Sequence, residues 1–274
     1  MTEGACADPT PRVTNLTSPD APTPRRQVAL FVTCLVDLFR PSVGMAAVKL
    51  LEDAGCDVVV PEGQTCCGQP GFNSGDRPAA VAIAKRAIAL LEPYDHIVVP
   101  SGSCGGMIKK HYPDLFKGDA EWAPRAKKVA ARTHELTAFL TGVLGITSVS
   151  ASFPAKATYH DSCSALREMG VRAQPRQLLA SVDGLTISEL SEREACCGFG
   201  GTFAVKYPDI SNAIVEKKTA DITATGAELL ISGDMGCLLN MAGKLKREGS
   251  SVRVRHVAEV LASMVDIPAI GEGA

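Results

Sequence analysis

Nowhere in this 274-residue chain do 18 apolar residues follow one another, which excludes a membrane-spanning helix. An excess of charge of one sign is also missing. The chain sets 28 Lys+Arg against 30 Asp+Glu, for a formal net charge of −2. That balance leaves no electrostatic footprint for nucleic acid or an anionic membrane. Aromatic residues are scarce at 5 % while glycines number 25, a mixture that fits an Ala-, Val- and Leu-rich α/β core with many tight turns. No dinucleotide fingerprint exists, since GFGGTF (198–203) is not a G-x-G-x-x-G between a strand and a helix. The short C-x₂₋₄-C turns by which zinc sites usually chelate are absent as well.

Cysteine is the residue in excess, with ten copies. A chain of this length needs no disulfide framework to fold. Arg25 and Arg26 ahead of VALFVTCLV have the form of an export signal, but the apolar run ends at Asp37 and no small-residue cleavage site follows. Residues 28–33 therefore read as a first core strand, preceded by a Thr- and Pro-rich disordered tail over 1–27. Without an export signal the expected location is cytoplasmic and reducing, where clustered cysteines point to metal or redox chemistry before disulfides.

Internal repetition organises these cysteines. The first half carries Cys34, then Cys66-Cys67-Gly68, then Cys104; the second carries Cys163, then Cys196-Cys197-Gly198, then Cys237. Matching positions are displaced by 129, 130, 130 and 133 residues, and only Cys6 and Cys56 stand outside the scheme. The repeats are drawn over residues 28–145 and 156–266. His134 and His256 each open an apolar helical pattern near the end of a repeat and are expected to make structural hydrogen bonds between the halves. Cys56 reads as core filler and Cys6 as a free thiol in the tail.

Strand-like apolar runs at 28–33, 58–60, 96–99, 157–160, 185–188 and 228–231 alternate with helical periodicity at 42–54, 79–91, 175–181 and 210–225. The alternation predicts an α/β fold of two pseudo-repeated, Rossmann-like βαβ halves with parallel strands. Every cysteine of the repeat then follows a strand, so the cysteine sites fall at strand carboxyl ends, where open α/β sheets bind their ligands. Thiolate sets of this kind select zinc, copper(I) or an iron–sulfur cluster. An adjacent Cys-Cys pair suits the several irons of a cluster better than one tetrahedral zinc. The GQPG (68–71) and GFGG (198–201) runs also let backbone N–H groups turn toward sulfur without a Cβ in the way. The expected metal ligands are Cys34, Cys66, Cys67 and Cys104 in one site and Cys163, Cys196, Cys197 and Cys237 in the other, with zinc in one site as the alternative.

The double C…CCG…C pattern, with YHDSC (159–163), SGSCGGM (101–107) and GDMGCLLNM (233–241), resembles the cysteine-rich (CCG) domain family of iron–sulfur oxidoreductases over about residues 27–266. That family includes the heterodisulfide reductase B subunit and the iron–sulfur subunits of glycolate and glycerol-3-phosphate oxidation. The strongest likeness is to its lactate-utilisation A branch. The resemblance implies an iron–sulfur electron-transfer subunit of a multi-subunit system oxidising L-lactate to pyruvate. The implied partners are a ferredoxin-type iron–sulfur subunit and a third lactate-utilisation subunit. The wider family's motif ends in C-x-x-C, giving five cysteines per half, whereas here Ser101 and Asp234 stand in place of the extra sulfur. One ordinary 4Fe–4S cluster per half is the simpler count, and Ser101 and Asp234 read as helix caps. Two other readings stay open: a thiol–disulfide reductase subunit of the heterodisulfide type, and a zinc-stabilised, non-catalytic assembly protein.

His160 and Arg167, which flank Cys163, are the candidate catalytic residues: a proton donor and an anion-holding guanidinium, with Arg40 as a weaker counterpart in the first half. The competing structural reading has His160 satisfied by backbone groups at a strand end and Arg167 solvated on a helix. Lys109, Lys110 and His111 read as a solvated helix face. The Gly-rich loops 68–75 and 198–201 are the expected docking surface for a partner.

Overall fold

The structure is a computed structural model describing Met1 and residues 25–272; Cys6 and residues 2–24 of the expected tail lie outside the described residues. In the first half β1 (Arg26–Leu30) leads through α1 (Cys34–Phe39) and α2 (Pro41–Asp53) to β2 (Cys56–Val59). Helices α3 (Gln69–Asn73) and α4 (Arg77–Leu91) then lead to β3 (Ile97–Val99). Next, α5 (Gly102–Gly106) runs through a wide π turn at Met107–His111 into α6 (Tyr112–Leu115). Helix α7 (Trp122–Ala131) returns the chain to β4 (Thr133–Glu135), and α8 (Leu136–Ala138) continues into a second π turn at Phe139–Val143. The second half retraces this course through β5 (Ser152–His160), α9 (Cys163–Arg167), α10 (Ala173–Leu179), β6 (Asp183–Ile187) and α11 (Phe203–Lys206). It ends with α12 (Pro208–Ala224), β7 (Leu229–Ser232), α13 (Met235–Arg247), β8 (Arg253–His256) and α14 (Val257–Leu261).

Each half forms a four-stranded, all-parallel sheet, ordered β2-β1-β3-β4 and β6-β5-β7-β8. The α/β fold with two repeated halves is therefore the one the sequence pattern calls for. Strand registers superimpose as well: Leu30 pairs with Val98 where Tyr159 pairs with Ile231, which sets offsets of 159 − 30 = 129 and 231 − 98 = 133. The pattern foresees three strands per half, and the structure has four. β4 reads THE and β8 reads RVRH, too short and too polar to show an apolar run; pairing with β3 and β7 makes them strands.

Helices cover both faces of each sheet, so the strands are apolar on both sides. Along β1, Val28 and Leu30 join a core that extends into the second half, while Ala29 and the following Phe31 join a core with α4 and α7. Helix α4 begins where Asp76 accepts from the backbone N–H of Ala79 at 3.1 Å, with Pro78 in its first turn. The halves pack reciprocally: α5 on α9 and α1 on α13, α14 on α2 and α8 on α10. This exchange brings the carboxyl edges of both sheets to one cleft. Among the described residues no helix is long and apolar enough to cross a membrane.

Candidate metal centres

Three chain segments build the first site at the carboxyl edge of its sheet. Cys34 opens α1 after β1, Cys66 and Cys67 occupy the loop after β2, and Cys104 lies in α5 after β3. β1 is flanked by β2 and β3, so the site sits where the strand order reverses, the usual ligand position of an open α/β sheet. Gln64 splices the cysteine loop to the end of β1: its Nε2 donates to the Leu30 carbonyl and its Oε1 accepts from the Val32 N–H, each at 2.8 Å. Tyr112 Oη donates to the Cys67 carbonyl at 2.8 Å. Sulfurs of Cys67 and Cys104 are 3.3 Å apart, and the Gly68 N–H donates to Cys66 Sγ at 3.4 Å. Gly68 holds φ at +88°, a conformation that suits glycine. Thr33, just before Cys34, holds φ at +76°, which costs an L side chain about 1–3 kcal/mol; its counterpart Ser162 relaxes to −67°.

The second site repeats the plan with different supports. Cys163 opens α9, capped by Ser162 Oγ, which accepts from the Ala165 N–H at 3.2 Å. The Gly198 N–H donates to Cys196 Sγ at 3.3 Å, as Gly68 does to Cys66. The Cys197 carbonyl is held by Asn240 Nδ2 at 2.8 Å, and the Gly198 carbonyl by Ser211 Oγ at 2.8 Å. Cys197 and Cys237 are buried while Cys196 is exposed.

Ser101 and Asp234 do cap α5 and α13, accepting from the N–H groups of Cys104 at 3.4 Å and Cys237 at 3.5 Å. Asp234 also crosses between the halves, accepting from Ser101 Oγ at 3.2 Å and from the Ser103 N–H at 2.9 Å. Residues 69–73 of the expected first loop are helical (α3), and Ser74 Oγ, just after that helix, meets Thr202 Oγ1, just after the second Gly-rich run, at 3.0 Å and ties the halves together.

Protons are spread unevenly over each quartet. Cys66 accepts S–H bonds from Cys34 and Cys67 and the N–H of Gly68, which together hold it far below the usual thiol range despite burial. Cys196 is lowered in the same way by Cys163, Cys197 and Gly198. The S–H bonds donated to neighbouring sulfur, reinforced by burial, push Cys34, Cys67, Cys163 and Cys197 up. Each site is thus a group of sulfurs in contact with one another, with one glycine N–H aimed at the first cysteine of the Cys-Cys pair. The four sulfurs are bound mainly to one another, a soft donor set that fits a thiolate-ligated metal or iron–sulfur group.

The structure separates the other candidates. His160 is 1 % exposed, and its donor atom lies within 4.8 Å of those of Cys197 and Cys237. Neither of its ring nitrogens has a hydrogen-bond partner. Burial, aided by the nearby Lys218 charge, lowers its pKa to about 3, so the ring is neutral. Arg167 lies exposed on α9 with Nη2 3.4 Å from the Glu194 carbonyl. Arg40 is committed elsewhere, to Glu259 across the interface. Lys109 is half-buried on the Thr133 carbonyl at 3.0 Å, and His111 Nε2 faces Glu168 at 3.3 Å, so only Lys110 of that trio is a solvated side chain.

His134 and His256 are not equivalent. Val99 pairs with Glu135 as Ser232 pairs with His256, so Glu135 is the counterpart of His256. Each caps the helix that follows: Glu135 Oε2 accepts from Ala138 at 3.0 Å, and His256 Nδ1 from Ala258 at 3.1 Å. His134 packs against His96 and Phe139, and burial lowers its pKa to about 4. Sequence reasoning also missed Arg176, which clasps Asp161 through two 2.8 Å bonds, and the fully buried Lys218, whose Nζ donates to the Glu192 carbonyl at 2.6 Å.

A cavity of about 190 Å³ lies over the first quartet, between Cys34, Cys66 and Cys104 on one side and Phe199, Val205 and Met235 on the other. Its lining is mainly apolar, includes Asp234 and contains no Lys or Arg. A larger hollow of about 1150 Å³, beside Gly226 and Gly249, is open and carries no cysteine.

Two thiol quartets at the carboxyl edges of two parallel sheets define a duplicated cysteine-rich protein. The sequence model of the cysteine-rich domain (CCG) family matches residues 28–109 and 157–242, and the chain belongs to that family. It is 52 % identical over 236 residues to lactate utilization protein A of Exiguobacterium sp., an alignment covering 85 % of this chain and 96 % of that one. To lactate utilization protein A of Bacillus subtilis it is 50 % identical over 237 residues, covering 86 % and 99 %. The crystal structure of a hypothetical protein from Helicobacter pylori shares the fold, with a TM-score of 0.63 at 12 % identity over 92 % of this chain; the alignment spans half of that longer chain, 50 %.

Proposed function

We propose that this chain is an iron–sulfur electron-transfer subunit of a system that oxidises L-lactate to pyruvate, with one 4Fe–4S cluster per quartet. One observation carries the reading: two four-thiol sites stand at equivalent sheet edges in a chain about half identical to lactate utilization protein A over most of its length. Cys34, Cys66, Cys67 and Cys104 would hold one cluster, and Cys163, Cys196, Cys197 and Cys237 the other. Such groups supply one-electron transfer when bound.

The remaining roles belong to the chain itself. Gly68 and Gly198 aim N–H groups at Cys66 and Cys196 and so stabilise negative charge on sulfur. Asp234 and Ser101 lock the two helix starts that present Cys104 and Cys237. The cavity beside the first quartet offers no Lys or Arg for a carboxylate and already contains the Asp234 carboxylate, so lactate finds no cationic partner there. Substrate chemistry is therefore assigned to the partners, a ferredoxin-type iron–sulfur subunit and a third lactate-utilisation subunit. Cys196 is exposed, and Val205 at 82 % and Tyr207 at 54 % exposure follow the second Gly-rich loop, which supports docking on this side.

The test is iron and acid-labile sulfide analysis of anaerobically purified chain, followed by lactate-dependent dye reduction with and without the partner subunits. About eight irons per chain are expected for two 4Fe–4S groups, and turnover only when partners are added. Zinc without sulfide overturns the cluster assignment. Robust turnover by the chain alone overturns the carrier reading and makes His160 and Arg167 the first residues to mutate.

A further inference from the structure

Duplication lets the two sites be compared residue by residue, and strand register fixes the alignment. The 129-residue offset between β1 and β5 sets Phe31 opposite His160. Phe31 is 1 % exposed and fills the apolar core of the first half together with Cys67, Ala80 and Ala84. Its ring asks nothing of its surroundings. His160 is equally buried, yet both ring nitrogens stand without a partner. Ser232 Oγ bonds the His160 backbone carbonyl at 2.9 Å and leaves the imidazole bare. An unsatisfied buried polar group costs about 1–3 kcal/mol, so a histidine in a phenylalanine position needs a reason. The groups within reach are sulfurs: the donor atoms of His160, Cys197 and Cys237 all lie within 4.8 Å of one another.

We propose that His160 donates a ring nitrogen to the metal of the group held by the second quartet. The two repeated sites then differ in kind. The first is an all-thiolate site, and the second combines thiolate with imidazole, with Cys197, Cys237 and His160 at its buried end and the exposed Cys196 at its mouth. Exchange of sulfur for histidine is a known means of raising the potential of an iron–sulfur centre. Two otherwise repeated sites would so acquire different potentials, and electrons a direction between them. The proposal rests on the reading that the second quartet holds a metal or cluster.

The experiment is pulsed EPR on the anaerobic, iron-reconstituted full chain reduced with dithionite, prepared with natural and with ¹⁵N-labelled histidine, for wild type and for His160→Phe. The variant places in the second half the residue that the first half already accommodates, and labelling of the wild type gives an answer that needs no variant. A strong nitrogen coupling is expected in wild type, rescaled by the ¹⁵N label and lost in His160→Phe. Iron and sulfide present in both sites without any histidine coupling would overturn the role of His160 and leave the cluster reading standing. If the chain binds zinc and no iron, the cluster reading fails. The inference then stands only if His160→Phe loses one zinc, read by metal analysis, and falls if zinc content is unchanged. A chain that binds neither metal overturns both.

Discussion

Replacing Arg40 by Met removes the guanidinium that keys one half to the other. Arg40 sits between α1 and α2, and its Nε donates to Oε1 of Glu259, a residue of α14 whose side chain is fully buried, at 2.7 Å. Ser42 Oγ donates to the same oxygen at 2.6 Å, and the His256 N–H to Oε2 at 3.2 Å. Burial alone would raise the Glu259 carboxyl; the bonds from Arg40 and Ser42, with the Arg40 charge, outweigh it and hold the group below the usual range. Arg40→Met leaves that carboxylate buried with one hydroxyl and one amide. Breaking one side of a buried pair costs about 3–5 kcal/mol. Nη2 of Arg40 has no partner in the wild type, which sets the expectation near the lower figure. At about 2–4 °C per kcal/mol for a protein of this size, the thermal midpoint falls by roughly 6–12 °C. The folded pKa of Glu259 lies below its unfolded value of about 4.3, so the pair contributes fully above that pH and is lost as pH falls through the folded value. In the variant, burial is opposed only by the bonds from Ser42 and the His256 N–H and by the His256 charge, and the folded pKa rises, so the penalty is greatest at neutral pH and shrinks as Glu259 takes up a proton. Urea denaturation and melting at about pH 7 and about pH 5, at matched iron content, measure the gap; Arg40→Met combined with Glu259→Gln recovers much of it. A loss below about 1 kcal/mol at neutral pH, the size of a surface pair, or a gap that widens in acid, refutes the reasoning.

Gly102→Ala sets a Cβ 2.5 Å from Ala165 Cβ and 2.7 Å from the Ala165 backbone nitrogen, so α5 and α9 must part; a loss of about 1–3 kcal/mol is expected. Since these helices carry Cys104 and Cys163, iron content should fall with the melting temperature, and an unshifted melt would contradict the packing. Cys66→Ser or Cys197→Ser should remove the iron of one half, lowering both visible absorbance and thermal midpoint, while Cys56→Ser and Cys6→Ser retain it. Iron unchanged in the Cys197 variant, or lost with Cys6, would show that other residues are the ligands. Lys218→Met removes a buried cation near Cys197 and should lower the reduction potential of the second site, because the reduced, more negative form loses its stabilisation. EPR-monitored potentiometry reads the shift, and two unchanged midpoints would place Lys218 outside the reach of the site.

What the sequence makes legible is whatever must recur. Cysteines at three strand ends recur with the βαβ unit, and so eight of the ten fall into two sets that the folded chain brings together. The supports around them do not recur. The carbonyl of the second cysteine in each pair is anchored by Tyr112 in one half and Asn240 in the other, side chains with no common spacing. The helix after the fourth strand is capped by Glu135 in one half and His256 in the other, so matching like letters pairs His134 with His256 and misses by one residue. Arg40 and Glu259 are 219 residues apart, and no local pattern announces such a pair. Backbone geometry is what duplication preserves, since every residue of a parallel sheet depends on its neighbours' register. Side chains that merely fill or brace can drift, provided each drift leaves a packed core and satisfied polar groups. Phe31 obeys that condition and His160 does not. The proposed ligation accounts for that divergence, which falls on a side chain of the second half whose bare nitrogens lie beside two of its sulfurs.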